Sequence, residues 1–174
     1  MKTMKTVKII LLLFVLFVSG HNAESVNAAP AGYSEKAPEF ELKDMQGVKH
    51  RLSEYRGKVV LINFWASWCR ECLTEMPSLS SLYEKFKDKG VVVIGVSTDI
   101  NNEDIKKSVK KTGVTYTILV DSEGEVFQQK YAVLGLPTTV IVDKKGFIAE
   151  RILGSFDFGS PVFMNKIKML AEGK

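Results

Sequence analysis

The chain has 174 residues, 45% hydrophobic and 25% charged, with 24 Lys and Arg against 20 Asp and Glu for a net charge of +4. This is the composition of an ordinary globular protein, long enough for one domain plus a short appendage. Residues 1–28 hold Lys2, Lys5, Lys8 and Glu24, so the rest carries only +2; with no basic patch interleaved with aromatics, nucleic acid is excluded as a partner.

In chain order, residues 1–28 read as an export signal. Three lysines precede the apolar run 9–18 (IILLLFVLFV), Ser19 and Gly20 end it, and Val26-Asn27-Ala28 offers a cleavage site. The run falls short of the ~20 apolar residues of a membrane span. Cleavage is therefore the leading expectation and an uncleaved N-terminal anchor the alternative. His21 stands where a lipid-bearing Cys would be needed. Either way the domain is expected outside the cytoplasm, in a periplasm, where disulfides form and persist.

Residues 29–37 are small and polar and read as a linker, leaving residues 38–174 as the domain. Residues 40–42 and 49–52 flank Asp44-Met45-Gln46-Gly47, the pattern of a hairpin with a Gly-containing turn. Residues 59–65 (VVLINFW) are nearly continuously apolar, as expected of a strand buried on both faces. From 70 to 87 the period becomes helical, with Leu79, Leu82, Tyr83 and Phe86 on one face and Pro77 expected to kink or end the first segment. A second buried strand spans 91–96. Asn102 is expected to cap the next helix, with Ile105 and Val109 on its apolar face and Gly113 after its end. Residues 117–120 form a third strand, and a short helix covers 125–131. Strands 138–142 and 147–153 flank the turn Asp143-Lys144-Lys145-Gly146, and Ser160-Pro161 opens a final helix carrying Phe163, Ile167 and Leu170. Strands alternating with helices predict an α/β domain with a mainly parallel sheet and helices on both faces, the late hairpin adding antiparallel strands.

The only cysteines, Cys69 and Cys72, sit where the first buried strand passes into the helix. A bridge between residues three apart closes a very small loop and stabilises little, so a purely structural disulfide is a weak reading. A zinc site needs about four ligands, yet there is a single CxxC, and the only histidines are His21 and His50. A copper-delivery module would show CxxxC and a later histidine, and a peroxidase of related fold a single cysteine in another motif. Chemistry remains. The free N–H groups and positive dipole end of a helix start favour a thiolate at Cys69, the nucleophile, and Cys72 one turn deeper is placed to resolve the mixed disulfide.

The combination FWASWCREC after a buried strand, Pro77 five residues beyond Cys72, and Gly135-Leu136-Pro137-Thr138-Thr139 before a late strand resembles the thioredoxin-fold disulfide oxidoreductases. In detail it is similar to their TlpA/ResA-like branch, which includes exported reductases of cytochrome c maturation. The resemblance covers roughly residues 35–172. It implies a thioredoxin-like fold, a central mixed sheet flanked by helices with an N-terminal β-hairpin extension, and a redox-active Cys69-Cys72 disulfide needing no cofactor. It implies a cis bond before Pro137, with the Leu136 backbone free to pair with an extended substrate and Trp68 bordering the cysteines. It also implies a proton-accepting role for Glu75, three residues after Cys72. Without the resemblance, Glu75 would read as an ordinary solvated helix glutamate. Asn63 points the same way: ordinary thioredoxins carry a buried Asp there, and Asn cannot take the proton. Glu71 departs from the branch, where Pro often precedes the second Cys, and Arg70 and Glu71 act on a nearby thiolate with opposite sign.

The expected function is thus an extracytoplasmic thiol–disulfide oxidoreductase reducing an oxidised protein, apocytochrome c at the family level, and fed by a membrane thiol donor. The alternatives are a disulfide oxidase or isomerase, separated by reduction potential, and a non-catalytic binding module, which would survive Cys69→Ser.

Overall fold

The computed structural model describes residues 35–173. The signal or anchor expected at 1–28 and residues 29–34 of the linker lie outside the described residues. Residues 35–37 are already bound to the domain: Ile148 N donates to Glu35 O (2.9 Å), Ala37 N to Gly146 O (2.9 Å), and Ala37 is buried.

Seven strands form one sheet in the order β2-β1-β5-β4-β3-β6-β7. They are β1 Glu41–Asp44, β2 Lys49–Arg51, β3 Val59–Trp65, β4 Val91–Ser97, β5 Thr117–Val120, β6 Thr138–Val142 and β7 Ile148–Leu153. The helices are α1 Arg70–Phe86, α2 Asn102–Thr112 and α3 Pro161–Glu172, with a short π-helical turn at Glu125–Lys130. Only β3–β4 and β4–β5 are parallel; β1–β2, β1–β5, β3–β6 and β6–β7 are antiparallel. The sheet is therefore mixed rather than mainly parallel, because the N-terminal hairpin adds its strands to the β5 edge as the C-terminal hairpin does beside β3.

The residues of α1, α2 and α3 all pack into one hydrophobic cluster, with Val59, Leu61, Trp65, Val91 and Val93. Both faces carry helical structure, as expected, but unevenly: the three α-helices share one face, and the short helical turn Glu125–Lys130 lies on the other. Strands β3, β4 and β5 advance across the sheet in one direction, and right-handed crossovers between them place both connecting helices on the same side. The opposite face is covered by Phe40 and Leu52 from the N-terminal region and by Val126, Tyr131 and Val133, where the chain crosses from β5 back to β6.

Local chemistry accounts for the ends. Helix α2 is capped by Asn101, not Asn102: its side chain accepts from Glu103 N (3.0 Å), and Gly113 closes the helix at φ 68°. Helix α1 runs through Pro77 without ending there. Pro77 is exposed, so the carbonyl it leaves without a helical donor lies on the solvent side, where water can satisfy it. Strand β3 is buried along all seven residues, as its unbroken apolar run anticipates.

Candidate active site

Cys69 is the N-cap residue of α1, and it is disulfide-bonded to Cys72 with a Cα–Cα distance of 5.3 Å. Its Sγ accepts a hydrogen bond from Cys72 N at 3.2 Å, so the sulfur lies on the free N–H groups of the first helical turn. That contact draws the sulfur inward: Cys69 is 5% exposed, less open than a freely presented nucleophile, and Cys72 is fully buried. Cys69 N donates to Ala66 O (3.1 Å) in the tight turn that leads from β3 into the helix.

Glu75 lies one turn beyond Cys72 on the buried face of α1 and is itself 3% exposed. Asn63 Nδ2 donates to its Oε1 (2.8 Å), and the backbone N–H of Phe156 donates to its Oε2 (3.1 Å). Burial pushes its carboxyl up to about 7, against the opposing pull of these two donors. Asn63 also donates to Thr139 Oγ1 (2.9 Å). Asn63 faces Gly95 across the β3–β4 ladder and Thr139 across β3–β6, so one cross-strand row beneath α1 supplies both the polar anchor and the space for it. Thr139 and the Phe156 N–H were not anticipated. Backbone donors carry no side-chain signature, and a Thr inside an apolar strand reads as an ordinary β-former.

The Leu136–Pro137 bond is cis. Gly154 N donates to Pro137 O (2.9 Å) and Thr138 Oγ1 to Gly135 O (2.7 Å), which fixes the loop before β6. Trp68 is 75% exposed. Trp68 and Leu136, joined by Phe127, Gln128 and Leu134, line an open cavity of about 420 Å³. Another cavity of about 470 Å³ lies between Phe86, Lys89 and Met164, at the far end of α1 from the cysteines. His50 sits in the N-terminal hairpin, bonded to Asp44 (3.1 Å) and Tyr55 (3.0 Å). Among the described residues, no group of three His, Cys, Asp or Glu is arranged to hold a metal ion, and no helix is long and apolar enough to cross a membrane.

A cysteine pair at a helix start can exchange disulfides, and a buried carboxyl one helical turn further on has the raised proton affinity that acid–base chemistry uses.

Comparison with known proteins bears on the family and the fold. The AhpC/TSA family model matches residues 33–151. The thiol-disulfide oxidoreductase ResA of Geobacillus kaustophilus is 40% identical over 90 residues, 52% of each chain. The ResA of Bacillus thuringiensis (strain Al Hakam) is 37% identical over 119 residues, 68% of each chain. The crystal structure of the thioredoxin domain of a thiol-disulfide oxidoreductase from Bacteroides vulgatus superposes with a TM-score of 0.70 at 30% identity, covering 80% of this chain and 98% of that one. The chain spans about half the length of several of the curated relatives it matches.

Proposed function

The chain belongs to the AhpC/TSA family, in its ResA-like, thioredoxin-fold branch, and from that premise we propose that it is an extracytoplasmic thiol–disulfide oxidoreductase that reduces disulfides of partner proteins. The observation that carries the reading is the Cys69–Cys72 disulfide at the N-cap of α1 with the buried Glu75 carboxyl below it. In the reduced enzyme the Cys69 thiolate attacks one sulfur of a partner disulfide. A mixed disulfide forms, and the partner's other sulfur leaves as a thiolate that takes up a proton. Glu75 accepts the proton of the Cys72 thiol, and Cys72 attacks Cys69 Sγ. The partner's second sulfur is expelled, the partner gains two electrons, and the Cys69–Cys72 disulfide is restored. A membrane thiol donor then re-reduces the pair. Trp68, Leu136 and Pro137 take the partner's extended segment in this scheme, which the cavity shared by Trp68 and Leu136 supports. Export by residues 1–28, as cleaved signal or retained anchor, and an apocytochrome c partner complete the proposal.

The test is trapping. With Cys72→Ala, the oxidised partner is expected to stay linked to Cys69 in a complex that dithiothreitol releases, and the parent should reduce insulin disulfides. If nothing is captured and insulin stays intact, the reading fails.

A further inference from the structure

We propose that Asp99 is a positioning residue for the chemistry of Cys69, a role that rests on the oxidoreductase reading above. Asp99 follows β4 by two residues and is 7% exposed. Its carboxylate receives three donors. Ser67 N reaches Oδ2 (2.8 Å), Ser67 Oγ reaches Oδ1 (2.7 Å), and Ser97 Oγ reaches Oδ2 (2.8 Å). Ser97 Oγ in turn accepts from Asp99 N (3.1 Å), and Thr98 N donates to Trp65 O (3.1 Å). The chain leaving β3 is thus tied to the chain leaving β4 at Trp65 and Ser67, directly before Trp68 and Cys69. These are the carboxyl ends of two parallel neighbouring strands, the edge at which open α/β sheets build their sites.

The bonds reach the reacting sulfur through the chain. Ser67 held by both its N–H and its hydroxyl has no freedom to turn, and Cys69 N is bonded back to Ala66 O (3.1 Å). With both ends of the turn fixed, Trp68 projects outward while the Cys69 sulfur is placed on the N–H of Cys72. Charged hydrogen bonds of this kind are among the stronger ones. A displacement of ~1 Å at a reacting atom can cost ~100-fold in rate. The carboxylate therefore acts by alignment.

That account has a sign that separates it from simple electrostatics. Removing a nearby negative charge would, by itself, make the Cys69 thiolate easier to form. Releasing the clamp lets the sulfur drift from the helix N–H groups and makes the thiolate harder to form. The experiment is iodoacetamide alkylation of the reduced protein as a function of pH, with Cys72→Ala as background so that only Cys69 reports. Adding Asp99→Ala should move the alkylation midpoint to higher pH, and Asp99→Ala in the parent should lower kcat/KM for insulin reduction by about 10-fold. Ser67→Ala, which keeps the backbone bond and loses the hydroxyl one, should move the midpoint the same way by less. It stands in should Asp99→Ala fail to fold. A midpoint that is unchanged or falls in Asp99→Ala, or in Ser67→Ala where that variant stands in, overturns the proposal. Failure of the oxidoreductase reading looks different: insulin is then untouched by the parent, while alkylation of Cys69 still responds to Asp99.

Discussion

At the scale of single residues, Glu75 decides most. A helix glutamate is ordinarily solvated, yet this one is buried, holds two donors, and has its carboxyl raised to about 7 by burial. Because the folded state binds the proton more tightly than the unfolded chain, its contribution to stability is fully present below about pH 4.5 and is lost as pH rises through about 7. The oxidised protein isolates this effect, since disulfide-bonded cysteines do not titrate. Urea unfolding of the oxidised parent should therefore show a loss on the order of 2–3 kcal/mol between pH 5 and pH 8 that is missing in Glu75→Gln. Parallel pH profiles for the two proteins would remove the perturbed carboxyl. Glu75→Gln should also slow partner reduction or shift the titration of Cys72. The Cys69–Cys72 pair at the helix start was legible because two cysteines at a strand–helix junction leave few other uses. The burial of Glu75 was legible only through the resemblance and the substitution at Asn63, since no helical period distinguishes a glutamate facing a core from one on its edge. Asp99 escaped notice because its partners, Ser67 and Ser97, lie in two segments that only the β3–β4 ladder brings together.

At the scale of elements, most strands and helices could be read from apolar runs and turn residues, with bounds within a residue or two. Their faces could not. Which side of a sheet a helix takes depends on strand order, which is a long-range property, and the one-directional step from β3 to β5 put α1 and α2 together. The closeness of that packing is set by Gly95 in the middle of β4. A Cβ there would come within 2.6 Å of Ile118 Cδ1, 3.1 Å of Trp65 Nε1 and 3.2 Å of Tyr116 Cε2. All three neighbours are buried, so none can yield without disturbing the layer beneath α1. Gly95→Ala should cost about 1–3 kcal/mol in urea unfolding, the usual range for overpacking, and because Gly95 pairs with Asn63 it should also disturb the Asn63–Glu75 bond. A variant as stable as the parent would mean that the layer gives way more easily than its contacts imply.

At the scale of the whole molecule, the direction of electron flow is a stability question. The difference in unfolding free energy between the oxidised and reduced protein equals the difference in potential between the folded pair and the same pair in the unfolded chain, with 30 mV corresponding to about 1.4 kcal/mol. Closing a loop of only four residues, 69 to 72, restrains the unfolded chain by about 2 kcal/mol at most, so the folded environment decides the sign. The helix start around Cys69 stabilises a thiolate and favours the reduced form. Cys72 is fully buried, and above about pH 7 the Glu75 carboxylate on the same helix face opposes a second negative charge there, which favours the disulfide. For a reductase the second influence must prevail. Urea unfolding at pH 8, with and without reductant, should then show the oxidised protein to be the more stable form, and Glu75→Gln should narrow the gap. Should the reduced protein prove more stable, the pair is an oxidant, and the same cysteines, loop and cavity would serve the making of disulfides in partner proteins instead.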